Sequence, residues 1–264
     1  MAGVVQGEFS RAGVFLKLHE ALGISAGDVV AFAGAGGKSA AILQVAQEIT
    51  GAGMTVLTVP TTKMSLGEVE RLGPLVTSED RQELAAEVKA ALSGGNPSVV
   101  AGRARTSRSR IDGVDPDVVE ALAPLADVVL VEADGSRRRP IKGTATHEPV
   151  LPTSATLVVA VGNVSALGTP VDEEHVHRPT IFSELTGVSP GQSITARAFA
   201  RALVQGSLAR VPKSTRTAAL ITGVEPGRPM ADASVIAREL WRFGLRDVVL
   251  TSLPKDAPVR VWIP

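Results

Sequence analysis

Apolar residues along this chain gather into short runs at 28–33, 54–59, 98–101, 127–131, 156–161, 217–222, 246–250 and 259–263. Stretches such as Val128-Val-Leu-Val131 and Leu157-Val-Val-Ala-Val161 are β-branched and carry no polar alternate. That is the pattern of strands covered on both faces. Between several runs the spacing becomes helical. Ile42, Val45, Ala46 and Ile49 fall at i, i+3, i+4 and i+7, with Leu84, Val88, Ala91 and Leu92 nearly so. Ile236, Leu240 and Phe243 follow the same rule, and Gly51 and Gly53 are placed to end the first helix. Strands alternating with helices predict one α/β domain over 1–264: a mostly parallel, doubly wound sheet with helices on both faces. A compact helical and loop-rich insertion is expected at about 163–215. The loop-rich stretches 102–116 and 132–155 are long enough to carry function.

Composition narrows the classes. In 264 residues, 27 Lys and Arg balance 27 Asp and Glu, so no net pull toward nucleic acid or an anionic membrane is expected. Cysteine is absent, which excludes disulfides, thiolate metal sites, a cysteine nucleophile and selenium carried on the chain as a selenosulfide. Met1–Ser10 is mixed and polar, and the apolar runs are short, so neither a secretory leader nor a membrane span is expected. A cytoplasmic protein is the expectation. Aromatic residues make up only 3%, so the core must be built from Val, Leu, Ile and Ala.

The first apolar run leads into Phe32-Ala-Gly-Ala-Gly-Gly-Lys-Ser39. The phosphate-loop consensus is glycine, four free residues, then Gly-Lys-Ser/Thr. Its first glycine would stand at position 32, where the chain has Phe32, so the loop is a shortened one. Its setting, a buried strand before and an amphipathic helix after, is that in which backbone amides and a helix N-terminus meet an anion. Gly34, Ala35, Gly36, Gly37, Lys38 and Ser39 are therefore expected to bind ATP or GTP in a P-loop-NTPase-like fold. Lys38 would reach the terminal phosphates and Ser39 a Mg²⁺ ion.

Further candidates cluster where strands end. Thr61 and Thr62, beside Lys63, close the second run at the sheet edge where ligands of open α/β proteins collect. The run ending at Val131 delivers Glu132 and Asp134, spaced i, i+2, so Asp134 with Ser39 is expected to hold Mg²⁺, directly or through water, and Glu132, or one of Thr61 and Thr62, to orient the nucleophile. Lys38, Glu132 and Asp134 are the candidate catalytic set. Arg137, Arg138, Arg139 and Lys142 follow, and with His147 and Glu148 they are expected to hold an acidic substrate. Asp172-Glu-Glu-His-Val-His-Arg178 reads better as a polar loop than as a metal site, the roles of His175 and His177 staying open. The basic stretch 103–110 lacks interleaved aromatics, which speaks against stacking on nucleic acid and leaves a flap over a nucleotide as its reading.

Together, GAGGKS at 34–39, PTTKM at 60–64, RIDGVDPDVVEAL at 110–122, VEADGSRRRPIKGTATHEPVLP at 131–152 and DEEHVHRP at 172–179 resemble the YqeC family. The resemblance runs from about Leu16 to Leu250, and the EADGSRRRPIK…HEP block is its most specific part. It implies a phosphate-loop nucleotide-binding fold. It also implies a role as an accessory factor in maturing a selenium-dependent molybdenum hydroxylase, with that enzyme or its cofactor as partner. Ser39 stands where many members would have threonine, and no guanine-reading Asn-Lys-x-Asp follows the run at 217–222. The short loop is also similar to that of the Mur ligases, which use ATP to activate a carboxylate. Three functions stay open: a Mg²⁺-dependent nucleotide-hydrolysing maturation factor, a ligase or kinase-like enzyme acting on a small acid, and a non-catalytic nucleotide-binding scaffold.

Overall fold

The computed structural model describes residues 16–103, 109–253 and 259–262. Met1–Ser10, most of the basic stretch (104–108) and the end of the last apolar run (263) lie outside the described residues. The first half of the chain forms α1 (Leu18–Ala21), β1 (Val29–Gly34), α2 (Lys38–Gly51), β2 (Val56–Pro60), β3 (Met64–Ser65) and α3 (Leu66–Leu72). It continues through β4 (Leu75–Thr77), α4 (Arg81–Ser93), β5 (Ser98–Gly102), β6 (Arg110–Ile111), α5 (Pro116–Leu122) and β7 (Val128–Glu132). The second half forms β8 (Ile141–Lys142), β9 (Leu157–Asn163), β10 (Val176–His177), α6 (Pro179–Thr186) and α7 (Ala196–Arg201), which runs on into a π-helical segment. It ends with β11 (Arg216–Thr222), α8 (Arg228–Arg242), β12 (Asp247–Leu250) and β13 (Arg260–Val261).

Nine strands form one sheet in the order β13-β12-β11-β9-β1-β7-β2-β5-β4. Every pairing in it is parallel except β12 with β13. The fold is thus the mostly parallel α/β arrangement that the alternating pattern predicts. Two short ribbons, β8 with β10 and β3 with β6, sit apart from it.

Alternation along each strand divides the core in two, because successive side chains leave a strand on opposite faces. Val30 and Phe32 pack with Leu18, Ile42, Val45, Ile49 and Val69, so α1, α2 and α3 cover that face. Val29 and Ala31 pack with Leu84, Val88, Val119, Phe182, Ala198, Ile236 and Leu240, so α4 to α8 cover the other. Ile42, Val45 and Ile49 are fully buried, and each isoleucine truncated to alanine would cost about 2–5 kcal/mol. α2 ends as its glycines suggest. Gly53, at φ +85°, takes the left-handed position and donates to Thr50 O at 3.0 Å.

Because the strands run parallel, their carboxyl ends share one edge. β1 is the pivot, with β7, β2, β5 and β4 to one side and β9, β11 and β12 to the other. The crevice beside such a reversal of strand order is where open α/β sheets bind ligands. Phe32, at the position the loop consensus reserves for glycine, is fully buried in the helix-side core and leaves the loop mouth clear.

Candidate functional site

The loop from β1 to α2 holds its shape because three glycines take conformations closed to other residues. Gly34, Gly36 and Gly37 have φ of +99°, +74° and +124°. At two of them space decides as well. A Cβ on Gly34 would lie 2.4 Å from Val161 O, and one on Gly36 would lie 2.5 Å from Pro140 O and 2.6 Å from Asn163 Cβ. The loop is therefore pressed against the ends of β9 and the 140 segment. Ala35 N donates to Val161 O at 2.9 Å, Asn163 N donates to Pro140 O at 2.9 Å, and the Thr222 hydroxyl donates to Gly36 O. α2 starts at Lys38, and the amides of its first turn have no acceptor inside the helix, which aims donors and the positive dipole end at the crevice.

Beneath the loop lies a chain of buried charges. Lys38 donates to Gly34 O at 2.6 Å and stands 3.0 Å from Asp134 Oδ1, an ion pair rather than an aligned hydrogen bond. The other oxygen of Asp134 accepts from Gly34 N at 2.9 Å and from Lys142 Nζ at 3.0 Å. Lys142 also donates to Gly135 O at 2.8 Å and to Glu148 at 2.6 Å. Glu148 in turn accepts from both terminal nitrogens of Arg178, at 2.5 and 3.2 Å. Burial pulls the Lys38 ammonium down, but Asp134 and Glu132 outweigh it and hold its pKa above the ordinary lysine value. Burial pushes the Glu148 carboxyl up, while Arg178 and Lys142 pull it harder, to about 2.

The loop opens into a cleft of about 1560 Å³ that gathers the carboxyl ends of β1, β2, β7, β9, β11 and β12. Ser39 stands at its floor. Its hydroxyl is 3.5 Å from Glu132, and Glu68 of α3, whose carboxylate accepts from the Ser65 hydroxyl at 2.6 Å, lines the same cleft. Burial raises the Glu132 carboxyl to about 7, with Glu68 and Asp134 adding to it against the pull of Lys38. For Glu68, burial pushes up, but hydrogen bonds from Ser65 and Ser39 and the charge of Arg138 bring it below its ordinary value. These hydroxyl and carboxylate oxygens are donors of the kind a hard cation takes. Among the described residues no group of three His, Cys, Asp or Glu is arranged to hold a metal ion.

Arginines line the far wall. Arg139 N donates to Ser136 O at 3.0 Å across a turn whose two central residues, Arg137 and Arg138, both have positive φ (48° and 60°). Arg178, at φ +61°, precedes α6. His177 lies between the walls; burial first, then Arg178 and Lys142, hold its imidazole down at about 4, so it is neutral at physiological pH.

The expected site residues thus divide. Gly36, Gly37, Lys38, Ser39, Thr62, Glu132, Arg137, Arg138, Arg139 and Glu148 line the cleft. Gly34 and Ala35 form the loop's inner turn, their amides bound to Asp134 and Val161. Thr61 turns away from it, donating to Val150 O at 2.8 Å. Asp134 does not line the cleft with Glu132: β7 ends at Glu132, and Asp134 is fully buried and paired with Lys38. Lys142 is buried with it, and His147 is exposed outside the cleft. Spacing did not single out Glu68, Asn163, Arg178 or Thr222. Only Arg178-Pro179, a cation just ahead of a helix-starting proline, carried a local signal.

A profile described as YqeC protein matches residues 30–180. The chain is 32% identical over 194 residues to the uncharacterized protein YqeC of Escherichia coli (strain K12), covering 71% of this chain and 73% of that one. Among solved structures it is similar to chloroplast FtsY from Physcomitrella patens, with 12% identity and a TM-score of 0.40. That match covers 92% of this chain but 64% of the other, just under two thirds of its length. The chain belongs to the YqeC family.

Proposed function

We propose that this chain binds ATP or GTP over Gly34–Ser39 and hydrolyses it with Mg²⁺, acting as an accessory factor in maturing a selenium-dependent molybdenum hydroxylase. The observation that supports it most is the loop itself. Positive-φ glycines join a buried strand to a helix N-terminus around a buried ammonium, Lys38, and open into a cleft. Helix-end donors beside a fixed positive charge suit a polyanion. The maturation role rests on family membership and on the role the resemblance implies.

The oxygen donors at the cleft floor fit Mg²⁺ chemically, with Ser39 and Glu68 as the residues that would hold it. Bound there, the ion would neutralise charge on the phosphate oxygens. Lys38 supplies hydrogen bonds and positive charge to the same oxygens. Glu132, 3.5 Å from the Ser39 hydroxyl, takes the proton of the attacking water. Asp134 serves by fixing Lys38 and the Gly34 amide rather than by touching the ion. A second reading, phosphoryl transfer to a small acid, is favoured by the arginine wall. Phosphate release from ATP and GTP, with Mg²⁺ and then with chelator, tests the proposal. The wild-type chain should turn over only with Mg²⁺, and Lys38→Ala should not turn over. Tight binding without turnover, with or without the hydroxylase, would reduce the chain to a scaffold.

A further inference from the structure

We infer that the cleft takes a second ligand beside the nucleotide, a small polyanion bearing carboxylate or phosphate groups, gripped by Arg137, Arg139 and Arg178. This rests on the reading of the loop as the nucleotide site.

Size is the first reason. A single small-molecule pocket is roughly 300–1,000 Å³, and this cleft is about 1560 Å³, running from the loop to the start of α6. Backbone strain is the second. Among the described residues four non-glycines have positive φ, namely Arg137, Arg138, Arg178 and Leu253, and all four line this cleft. A turn with two positive-φ central residues favours Asn-Gly or Gly-Gly. Here both places are arginines, so the conformational cost is borne where the side chain serves something other than the turn.

Charge is the third reason. Among the described residues no carboxylate stands within ion-pair distance of Arg137 or Arg139. Arg178 differs. One edge of its guanidinium is held by Glu148, and its side chain keeps 29% exposure toward the cleft. Lys142 clamps Glu148 from behind and pairs with Asp134, so the same buried chain positions Arg178 and the phosphate loop. Arg137, Arg139 and Arg178 thus line one cleft together with His177. A fork of guanidiniums is matched to carboxylate or phosphate oxygens.

Calorimetry on the full chain tests this. With the loop saturated by a non-hydrolysable triphosphate and Mg²⁺, succinate and inorganic phosphate are titrated separately. At least one should bind saturably, the one that does naming a carboxylate or a phosphate ligand. Arg139→Ala and Arg137→Gly should each weaken it about tenfold, with nucleotide affinity within about twofold of wild type. Arg137→Gly relieves the positive φ, so its melting temperature should rise while binding falls, which a misfolded variant would not show. Binding of neither anion, or binding unaltered in both variants, overturns the inference. So does anion binding lost in Lys38→Ala but kept in Arg137→Gly. Failure of the nucleotide reading appears separately, as no heat from the nucleotide titration. The anions are then titrated alone, and the same two variants decide.

Discussion

Replacing Asp134 by Asn removes one charge from a cluster with no solvent to replace it. The side chain of Asp134 has 0% exposure, Lys142 1% and Lys38 3%. Asparagine keeps the volume and can still accept from Gly34 N, so the change is chiefly electrostatic. Breaking a buried ion pair by removing one partner costs about 3–5 kcal/mol. Two contacts survive, Lys142 to Glu148 at 2.6 Å and Lys38 to Gly34 O at 2.6 Å, which places the cost at the low end, about 3 kcal/mol. For a chain of this size each kcal/mol moves the melting temperature by about 2–4 °C, so a fall of about 6–12 °C is expected. The assay is calorimetric melting without nucleotide or Mg²⁺. Adding Lys38→Met should recover part of the loss, because it removes an ammonium left without its partner. If Asp134 were chiefly a Mg²⁺ ligand, the ligand-free melt would stay within about 2 °C of wild type, and the structural role assigned here would be refuted.

Glu148 predicts a pH dependence with a definite sign. Its carboxyl titrates near 2 when folded against 4.5 ordinarily, so between those values the unfolded chain binds the proton that the folded chain refuses. Its stabilisation, about 3 kcal/mol for this buried group, is full above 4.5 and lost as pH falls toward 2. Urea denaturation of Glu148→Gln should therefore show a shallower loss of stability below pH 4.5 than the wild type. Gly36→Ala should cost about 2 kcal/mol or more, since the new Cβ meets Pro140 O at 2.5 Å. Gly53→Ala, at φ +85° with nothing within 4 Å, should cost only about 1 kcal/mol; equal losses in urea melts would discount the packing of the loop. Glu132→Gln should lower phosphate release about 10²-fold or more while nucleotide affinity changes little, and a parallel fall in both would remove its role as base.

Much of the sheet was legible because its strands are buried on both faces. The runs around Val29, Val56, Val128, Leu157 and Val248 are almost wholly apolar and became strands within a residue or two of their predicted bounds. β4 escaped because Leu75, Val76 and Thr77 are half-buried at the sheet edge, too short for a period to register. The conformation of the loop at 34–39 was legible, since glycines between a buried strand and a helix start have a local cause. The placement of the acids was not. Spacing i, i+2 predicts a common face only while the chain stays extended, and β7 stops at Glu132. Whether Lys142 and Glu148 meet a ligand or each other depends on the ribbon of β8 with β10, whose partners lie far apart in the chain. Asn163 and Thr222, paired across β9 and β11, reach the site through a long-range register no local pattern announces.

Titrating the full chain with Mg²⁺ and a non-hydrolysable triphosphate, beside Ser39→Ala and Lys38→Ala, tests most directly whether the shortened loop holds nucleotide. Saturable wild-type binding that weakens in Ser39→Ala only when Mg²⁺ is present, and vanishes in a folded Lys38→Ala, is the predicted result. Affinity unchanged in Lys38→Ala, or no binding by the wild type, would contradict it.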